Sequence, residues 1–207
     1  MHGASLLALE KIFVAANSLA AGTATSLHVV RLGEILDLEN TLGQQISDLP
    51  SAASELVYTS ELETMTQFCI PLNVASSFVI STLSNTSPGC ILVPKMASIQ
   101  LLDLVKAITP NQVSKGVRLP PGTKKHMVLI EGRNNRRIEE FPDKFVIQPD
   151  SASWGTLDNY DPSVPTMPES FKYVSEKNHH WLDLDGIQTF LKLRERQKVN
   201  PTNAKQR

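Results

Sequence analysis

Apolar residues in the first 110 positions recur mainly at spacings of three and four, and this periodicity limits the folds open to the chain. A second, longer helix is predicted from about residue 25 to Pro50, because Leu32, Ile35, Leu38 and Leu42 keep this spacing. A first helix is predicted to begin at Ser5 and end at Gly22, with its core-facing residues at Leu6, Leu9, Ile12, Phe13, Ala16 and Leu19 or Ala20.

Shorter patterns complete the first half. Ser60 and Glu63 form a capping box that predicts a helix ending before Pro71. The stretch "VASSFVISTLS" is compatible with either helix or strand, because its apolar spacing suits a helix and its β-branched residues suit a strand. "CILVP" predicts a short strand, and the apolar stripe from Ser98 to Ile108 predicts another helix.

The second half changes to strand and turn patterns. "HMVLIEG" and "FPDKFVIQP" each predict a strand, and together they predict a β-hairpin. A loop over residues 133–135 would pair Glu131 with Arg137 and Ile130 with Ile138, which matches opposite charges and apolar faces across the two strands. The tail predicts a C-terminal helix with a basic end.

These patterns predict the α+β class, with a helical N-terminal half, a β-hairpin or small mixed sheet in the C-terminal half, and a C-terminal helix with a basic tail. The length of the chain, 207 residues, predicts a single domain over 1–207 that contains two subregions. Residues 1–110 are mainly helical and acidic, with 4 Lys/Arg against 9 Asp/Glu. Residues 111–207 hold the hairpin and the C-terminal helix and are basic, with 16 against 12.

The composition is that of an ordinary globular protein, with 41% apolar and 20% charged residues. Glu10 and Lys11 interrupt the apolar N-terminus, so no secretion signal is predicted. No apolar run reaches the ~18 residues of a membrane span. We therefore expect a cytoplasmic protein, or one within a viral or host assembly, in which Cys69 and Cys90 are reduced, buried thiols.

Familiar catalytic sequences are missing from the 207 residues. The patterns G-x-x-x-x-G-K-[ST], G-x-G-x-x-G, G-x-S-x-G and H-E-x-x-H do not occur, so the sequence predicts neither an enzyme nor a bound cofactor. The alternative of an enzyme that uses Cys90 or the His179–His180 region stays open. Metal binding at His179 and His180 is not expected, and Asp183 and Asp185 are interpreted as carboxylates at a helix N-terminus.

The remaining signal for function is basic charge. Residues predicted to contact nucleic acid or an acidic partner surface fall in two clusters, Lys124, Lys125, Arg133, Arg136 and Arg137, and Lys192, Arg194, Arg196 and Lys198. The leading prediction is a non-catalytic structural or assembly subunit of a larger intracellular or viral complex, acting through protein–protein contacts. The alternative is a sequence-nonspecific nucleic-acid-binding accessory protein that uses the hairpin over 124–137 and the tail. Expected partners are other protein subunits, with homo-oligomers and nucleic acid left open.

Overall fold

The structure is a computed structural model that describes residues 2–20, 27–36, 62–85, 89–108, 124–132, 136–149 and 163–189. The chain forms two compact units, each assembled from three separate segments. Unit 1 contains residues 1–32, 73–95 and 128–173, and unit 2 contains residues 33–72, 96–127 and 174–207.

The described residues form both helices and strands. The helices are α1 (His2–Ala20), α2 (Leu72–Asn85), α3 (Leu101–Ile108) and α4 (184–189). The strands are β1 (Val29–Val30), β2 (Glu34–Leu36), β3 (Thr66–Pro71), β4 (Ile91–Pro94), β5 (Ala97–Gln100), β6 (Val128–Glu131), β7 (Ile138–Glu140), β8 (Lys144–Ile147) and β9 (Lys172–Val174). Short 3-10 turns occupy Leu62–Thr64 and Ser175–Lys177.

Unit 1 is built on a four-stranded sheet with the order β1, β4, β8, β7. All four residues of β4 are buried, as expected for a continuous apolar run that is covered on both faces. β4 runs parallel to β1 and antiparallel to β8, with Leu92 opposite Val146. Cys90, Leu92 and Val146 form a core cluster, against which Phe78 of α2 packs.

The predicted hairpin is wrong in its strand pairing. β7 forms a hairpin with β8, in which Ile138 lies opposite Ile147, whereas β6 pairs with β9 in a separate two-stranded sheet. Pro142 lies in the short connection between β7 and β8, where its missing N–H costs no ladder hydrogen bond. Arg137, just before β7, forms an ion pair with Glu139, with 3.1 Å between Nε and Oε1.

The helix predicted from Ser5 is present as α1, but the face predicted to be buried is exposed. Leu9, Ile12 and Leu19 are 50%, 63% and 88% exposed. The side of α1 that meets the rest of unit 1 carries Glu10 and Asn17 instead. Polar contacts, which a purely apolar pattern cannot reveal, therefore determine how α1 is oriented.

Unit 2 contains a three-stranded sheet with the order β2, β3, β5. The central strand β3 is parallel to β2 and antiparallel to β5. The helix predicted between Ser60 and Pro71 is wrong: a 3-10 turn gives way to β3, in which Phe68, Cys69 and Ile70 are consecutively buried. A central strand that is covered on both faces does not alternate between apolar and polar residues. Its continuous apolar run therefore also fits the apolar spacing of a helix.

The long helix predicted from about residue 25 to Pro50 is also wrong over its described part, 27–36, which contains β1 and β2. Residues 37–50 lie outside the described residues. Gly33 separates the two strands, and a Cβ there would lie 2.5 Å from the carbonyl oxygen of Phe68. Glycine disfavours a helix by about 1 kcal/mol and permits this close approach to β3.

The core of unit 2 forms where α3 covers the sheet. In α3, Leu101, Leu104 and Val105 are buried at the spacing of one helix face. They belong to an apolar cluster with Leu36, Leu62, Met65, Cys69, Ala97, Ile99 and Ile187. Ile187 is contributed by α4. Asp183 caps the first turn of this helix, because its Oδ1 atom accepts a hydrogen bond of 2.8 Å from the Gly186 N–H. The prediction of a helix-terminal carboxylate at Asp183 is confirmed.

The described residues form a mixed α+β structure with small mixed sheets, which confirms the predicted class. "VASSFVISTLS" falls in α2, and the strand predicted at "CILVP" is β4. Within the described ranges, no helix combines the length and apolar character needed to cross a bilayer. The single domain predicted over 1–207 stays a prediction.

Candidate functional site

A cleft in unit 1 combines an apolar floor with a charged rim. It is lined by Arg31, Ile130, Glu131, Gly132, Arg136, Ile138, Ile147 and Glu169. The three isoleucines are each at most 5% exposed and form the floor. They arrive from β6, β7 and β8, so both sheets of unit 1 contribute to the cleft.

Arg31 forms three hydrogen bonds within unit 1. Its Nε and Nη2 atoms donate to the two carboxylate oxygens of Glu10, each at 2.7 Å, and Nη1 donates to the Leu129 carbonyl oxygen at 2.6 Å. This bidentate geometry is the strong form of an arginine–carboxylate pair. Arg31 is therefore a positioning residue that joins α1, β1 and β6, and its charge is already balanced.

Arg136 is the cation that remains for a ligand. It is half-buried at the rim, and no described acidic side chain forms an ion pair with it. Glu169, across the same rim, is exposed and likewise has no ion pair within the described part of the chain. A guanidinium and a carboxylate above an apolar floor suit a ligand that has an anionic group, hydroxyl groups and an apolar face.

Gly132 allows the rim to close. A Cβ at this position would clash with the carbonyl oxygen of Glu169 and would lie 2.8 Å from that of Phe171. Only a glycine allows residues 132 and 169–171 to approach this closely. The approach places Glu169 on the same cleft as Arg136, although the two residues are far apart in sequence.

A second polar cluster lies in unit 2, where hydroxyl groups join three segments. The Ser175 hydroxyl donates to the carbonyl oxygen of Thr66 at 2.9 Å and accepts from the Met127 N–H at 3.0 Å. Because this donation uses the only proton of Ser175, the Thr66 hydroxyl donates to Ser175 Oγ at 2.7 Å. His126 Nδ1–H then donates to Thr66 Oγ1 at 2.9 Å, and Nε2 lies 3.8 Å from Glu176 Oε1.

This second cluster resembles an acid–base relay in composition but lacks an accessible nucleophile. Ser175 is 0% exposed and Thr66 is 5% exposed, and the proton of each hydroxyl is already donated within the cluster. Its contacts instead hold β3, the segment before β6 and the 3-10 turn after β9 in a fixed register.

The cysteines are buried and free, as predicted. Burial raises the pKa of Cys69 from 9.0 to about 12. Burial, together with the negative charge of Glu139, raises the pKa of Cys90 from 9.0 to about 11. Cys90 Sγ donates to Gln148 Oε1 at 3.3 Å. Such thiols are poor nucleophiles at neutral pH, so an enzyme based on Cys90 is not supported.

The predicted basic site residues lie in different environments. Lys124 and Lys125 are exposed in unit 2, Arg136 lines the cleft of unit 1, and Arg137 pairs with Glu139. The other predicted contact residues lie outside the described residues, namely Arg133, Lys192, Arg194, Arg196 and Lys198. Contact of the described residues with an acidic partner surface stays a prediction. Within the described ranges, no three His, Cys, Asp or Glu residues are grouped to hold a metal ion.

Comparison with known proteins adds information that the geometry alone lacks. The profile of a family described as "Polysaccharide biosynthesis protein" matches residues 1–149. One Campylobacter jejuni protein named UDP-N-acetylglucosamine 4,6-dehydratase (inverting) is 31% identical over 189 residues, covering 87% of this chain and 55% of that protein. A second C. jejuni protein of the same name is 27% identical over 186 residues, with the same coverage of 87% and 55%. The chain thus spans about half the length of these curated relatives.

A solved structure has the same fold. The crystal structure of Pen from Bacillus thuringiensis matches 93% of this chain and 58% of its own, with a TM-score of 0.71 and 18% sequence identity. At this identity, the match concerns the fold alone.

These similarities overturn the sequence-based prediction of function. The named relatives are enzymes, so the prediction of a non-catalytic assembly subunit of an intracellular or viral complex is wrong. The nucleic-acid-binding alternative is wrong for the same reason. No contiguous catalytic motif marks the cleft, because its residues come from segments that are separated by many positions. Only the isolated basic signal at Arg136 pointed to this cleft from the sequence.

Proposed function

Since the chain belongs to the polysaccharide biosynthesis protein family, we propose that it acts on a nucleotide-activated sugar of the UDP-N-acetylhexosamine class. The observation that carries this proposal is the 31% identity, over 87% of the chain, to a protein named UDP-N-acetylglucosamine 4,6-dehydratase. The proposed activity is that of a sugar-modifying enzyme, and the cleft of unit 1 is the proposed contact site for the sugar nucleotide.

The cleft offers a partner for each part of such a ligand. The Arg136 guanidinium can bind diphosphate oxygens, for which arginine is well suited because its planar donors match two oxygens at once. The Glu169 carboxylate can accept hydrogen bonds from sugar hydroxyl groups. Ile130, Ile138 and Ile147 line the base of the cleft beneath these two side chains.

A 4,6-dehydration removes one water molecule from the sugar. C4 loses a hydride and its hydroxyl proton and becomes a carbonyl, while C5 loses a proton as the C6–O bond breaks. When C6 gains the hydride, C5 regains a proton, so the net loss is one water and the reaction is redox-neutral. A nicotinamide dinucleotide supplies this type of chemistry when it is bound. Its phosphates usually lie at a glycine-rich turn that opens a helix. Gly89, the glycine with positive φ (83°) among the described residues, precedes β4 instead of a helix, so the described residues do not fit a dinucleotide.

Binding is the first test. Isothermal titration of the 207-residue protein should detect UDP-N-acetylglucosamine, and Arg136→Gln should weaken binding at least about tenfold through loss of a charge-assisted contact. Lys125→Gln, which removes one exposed positive charge in unit 2, is the matched control and should bind like the wild type. Absence of binding by the wild-type protein would overturn the proposed function.

Turnover is the second test. The protein is incubated with UDP-N-acetylglucosamine and both nicotinamide dinucleotides, and mass spectrometry follows formation of a product lighter by one water. Product formation that depends on the protein supports a dehydratase. Binding without product would contradict the enzymatic part of the proposal and leave sugar-nucleotide binding as the function.

A further inference from the structure

Glu139 places a carboxylate on the core side of the sheet in unit 1, where it is 7% exposed. It lies opposite Val146 in the pairing of β7 with β8, and Val146 belongs to the core cluster with Cys90 and Leu92. Residues directly opposite each other on neighbouring strands share a face of the sheet, so Glu139 lies on the same face as this cluster. Burial of a charge beside apolar side chains costs free energy unless partners compensate it.

Two partners hold the Glu139 carboxylate. Gln148 Nε2 donates to Oε2 at 2.7 Å, and Arg137 Nε lies 3.1 Å from Oε1. The backbone of Arg137 is fixed as well, because its carbonyl oxygen accepts a hydrogen bond of 2.9 Å from the Gln148 N–H. Arg137 is therefore held both at its side chain and at its backbone, directly before β7.

The next residue toward the N-terminus is a second arginine, and it lies on the other side. Side chains alternate between the two faces of an extended segment. Arg137 is two residues from Glu139 and shares its face, whereas Arg136 is two residues from Ile138, and these two line the cleft. Only one of two consecutive guanidinium groups can face the cleft in such a segment. The contact with Glu139 keeps Arg137 on the core side.

We propose that Glu139 is a positioning residue that determines which of the two arginines faces the cleft. By holding Arg137 on the core side, it presents Arg136 to the ligand. The ligand, which rests on the proposed function, is the diphosphate of a sugar nucleotide. Loss of the Glu139 carboxylate releases Arg137, so the two guanidinium groups then compete for the same place. An effect of charge alone would have the opposite sign, because removal of a nearby negative charge strengthens the binding of an anion.

Isothermal titration with UDP-N-acetylglucosamine tests the positioning role. Glu139→Leu should weaken binding about fivefold or more, because Arg136 is no longer held toward the diphosphate. Glu140→Leu is the matched control: it removes the neighbouring carboxylate, which pairs with Lys95 at 2.7 Å, and should bind like the wild type. Circular dichroism checks that both variants are folded. Glu139→Gln, which keeps the size of the side chain, takes the place of Glu139→Leu if that variant is unfolded.

A compensating change separates positioning from general damage to the fold. In the double variant Arg137→Leu/Glu139→Leu, two leucines replace the ion pair on the core side, where their burial maintains the same alternation of side chains. No second arginine then competes with Arg136, so binding should return to within about twofold of the wild type. A double variant that binds as weakly as Glu139→Leu would overturn the proposal.

Arginine modification gives a readout that needs no sugar nucleotide. Phenylglyoxal reacts with accessible guanidinium groups, and tandem mass spectrometry of the peptides locates the modified residue. In the wild type Arg136 should react faster than Arg137, and Glu139→Leu should bring the two rates together. An unchanged ratio of the two rates would overturn the positioning role, whether or not the sugar nucleotide binds. Absence of wild-type binding together with a changed ratio would overturn the proposed function and support the positioning role.

Discussion

At Gly132 the backbone of the chain approaches residues 169–171 so closely that a side chain has no room. Gly132→Ala places a methyl group against the carbonyl oxygens of Glu169 and Phe171, and backbone atoms cannot move aside as a flexible side chain does. We expect the free energy of unfolding to fall by about 1–3 kcal/mol, as for other overpacked positions. Chemical denaturation measures this change.

Gly186→Ala is the control for the same chemical change. Its Cβ would lie 3.1 Å from Oδ1 of Asp183, which belongs to a side chain able to shift. Alanine also favours the helical residues 184–189, so the net effect should stay within about 1 kcal/mol. A Gly132→Ala variant as stable as Gly186→Ala would contradict the close approach at the rim.

The buried thiols make stability depend on pH in the alkaline range. An unfolded thiol ionises near the ordinary value of 9.0, whereas burial keeps Cys69 protonated up to about 12. Above pH 9 the unfolded state therefore binds fewer protons than the folded state, and stability falls as the pH rises. The decline is at most about 1.4 kcal/mol per pH unit for each thiol.

Cys69→Ala isolates this contribution. The variant should be less stable at every pH because it leaves a cavity, but its stability should fall less steeply between pH 9 and 11 than that of the wild type. Other groups titrate in both proteins, so the difference in slope belongs to Cys69. Parallel curves for the two proteins from urea denaturation would contradict the raised pKa.

At the scale of single elements, α1 depends on its ion pair for attachment. The Glu10 and Arg31 side chains are 14% and 22% exposed, so both are largely removed from water. Glu10→Ala leaves the Arg31 guanidinium without its carboxylate, and we expect a loss of about 2 kcal/mol in stability. The exposed pair of Lys172 and Glu131, at 3.5 Å, gives the contrast: Lys172→Gln should change stability by less than about 0.5 kcal/mol. Equal losses in thermal unfolding would show that α1 is held by other contacts.

The same scale explains which elements the sequence predicts. β4 and β8 are short apolar runs bounded by turn residues or proline, and both were predicted as strands. β3 was predicted as a helix, because a buried central strand has no polar alternate positions. For α1 the helix was predicted but its orientation was not, because the contacts of Glu10 and Asn17 reach residues that are 21 and 10 positions away, respectively.

The candidate site, too, could be predicted only in part from the sequence. Arg136 was selected from its charge, which a sequence displays directly. Glu169 and Gly132 carried no signal, because their place at the rim depends on a backbone approach between distant segments. The three isoleucines come from strands in two different sheets, and the pairing of those strands differs from the predicted hairpin. A site assembled in this way becomes visible only once the strand partners are known.

At the scale of the whole molecule, the change of charge after Pro110 does not coincide with a division in folding. β4 precedes this point and pairs along its entire length with β8, which follows it. In unit 2, Thr66 of β3 is bonded to His126 and Ser175, which also follow it. In the first 110 residues alone, β4 would lack its partner β8, which would open the sheet edge beside the buried residues Ile91, Leu92 and Val93.

We therefore expect that fragment 1–110 does not fold by itself, although it contains α1 to α3 and β1 to β5. Its NMR amide spectrum should be poorly dispersed and its urea unfolding should lack a cooperative transition. When it is co-expressed with fragment 111–207, the two fragments should form a folded complex that persists in about 1 M salt. At this salt concentration the Debye length is about 3 Å, so attraction between an acidic and a basic fragment is screened. Dissociation of the complex at high salt would mean that opposite charge holds the two fragments together. A cooperative unfolding transition of fragment 1–110 alone would mean that the first half is an independent folding unit. Either result would contradict strand pairing between β4 and β8 as the interaction that joins the two parts of the sequence.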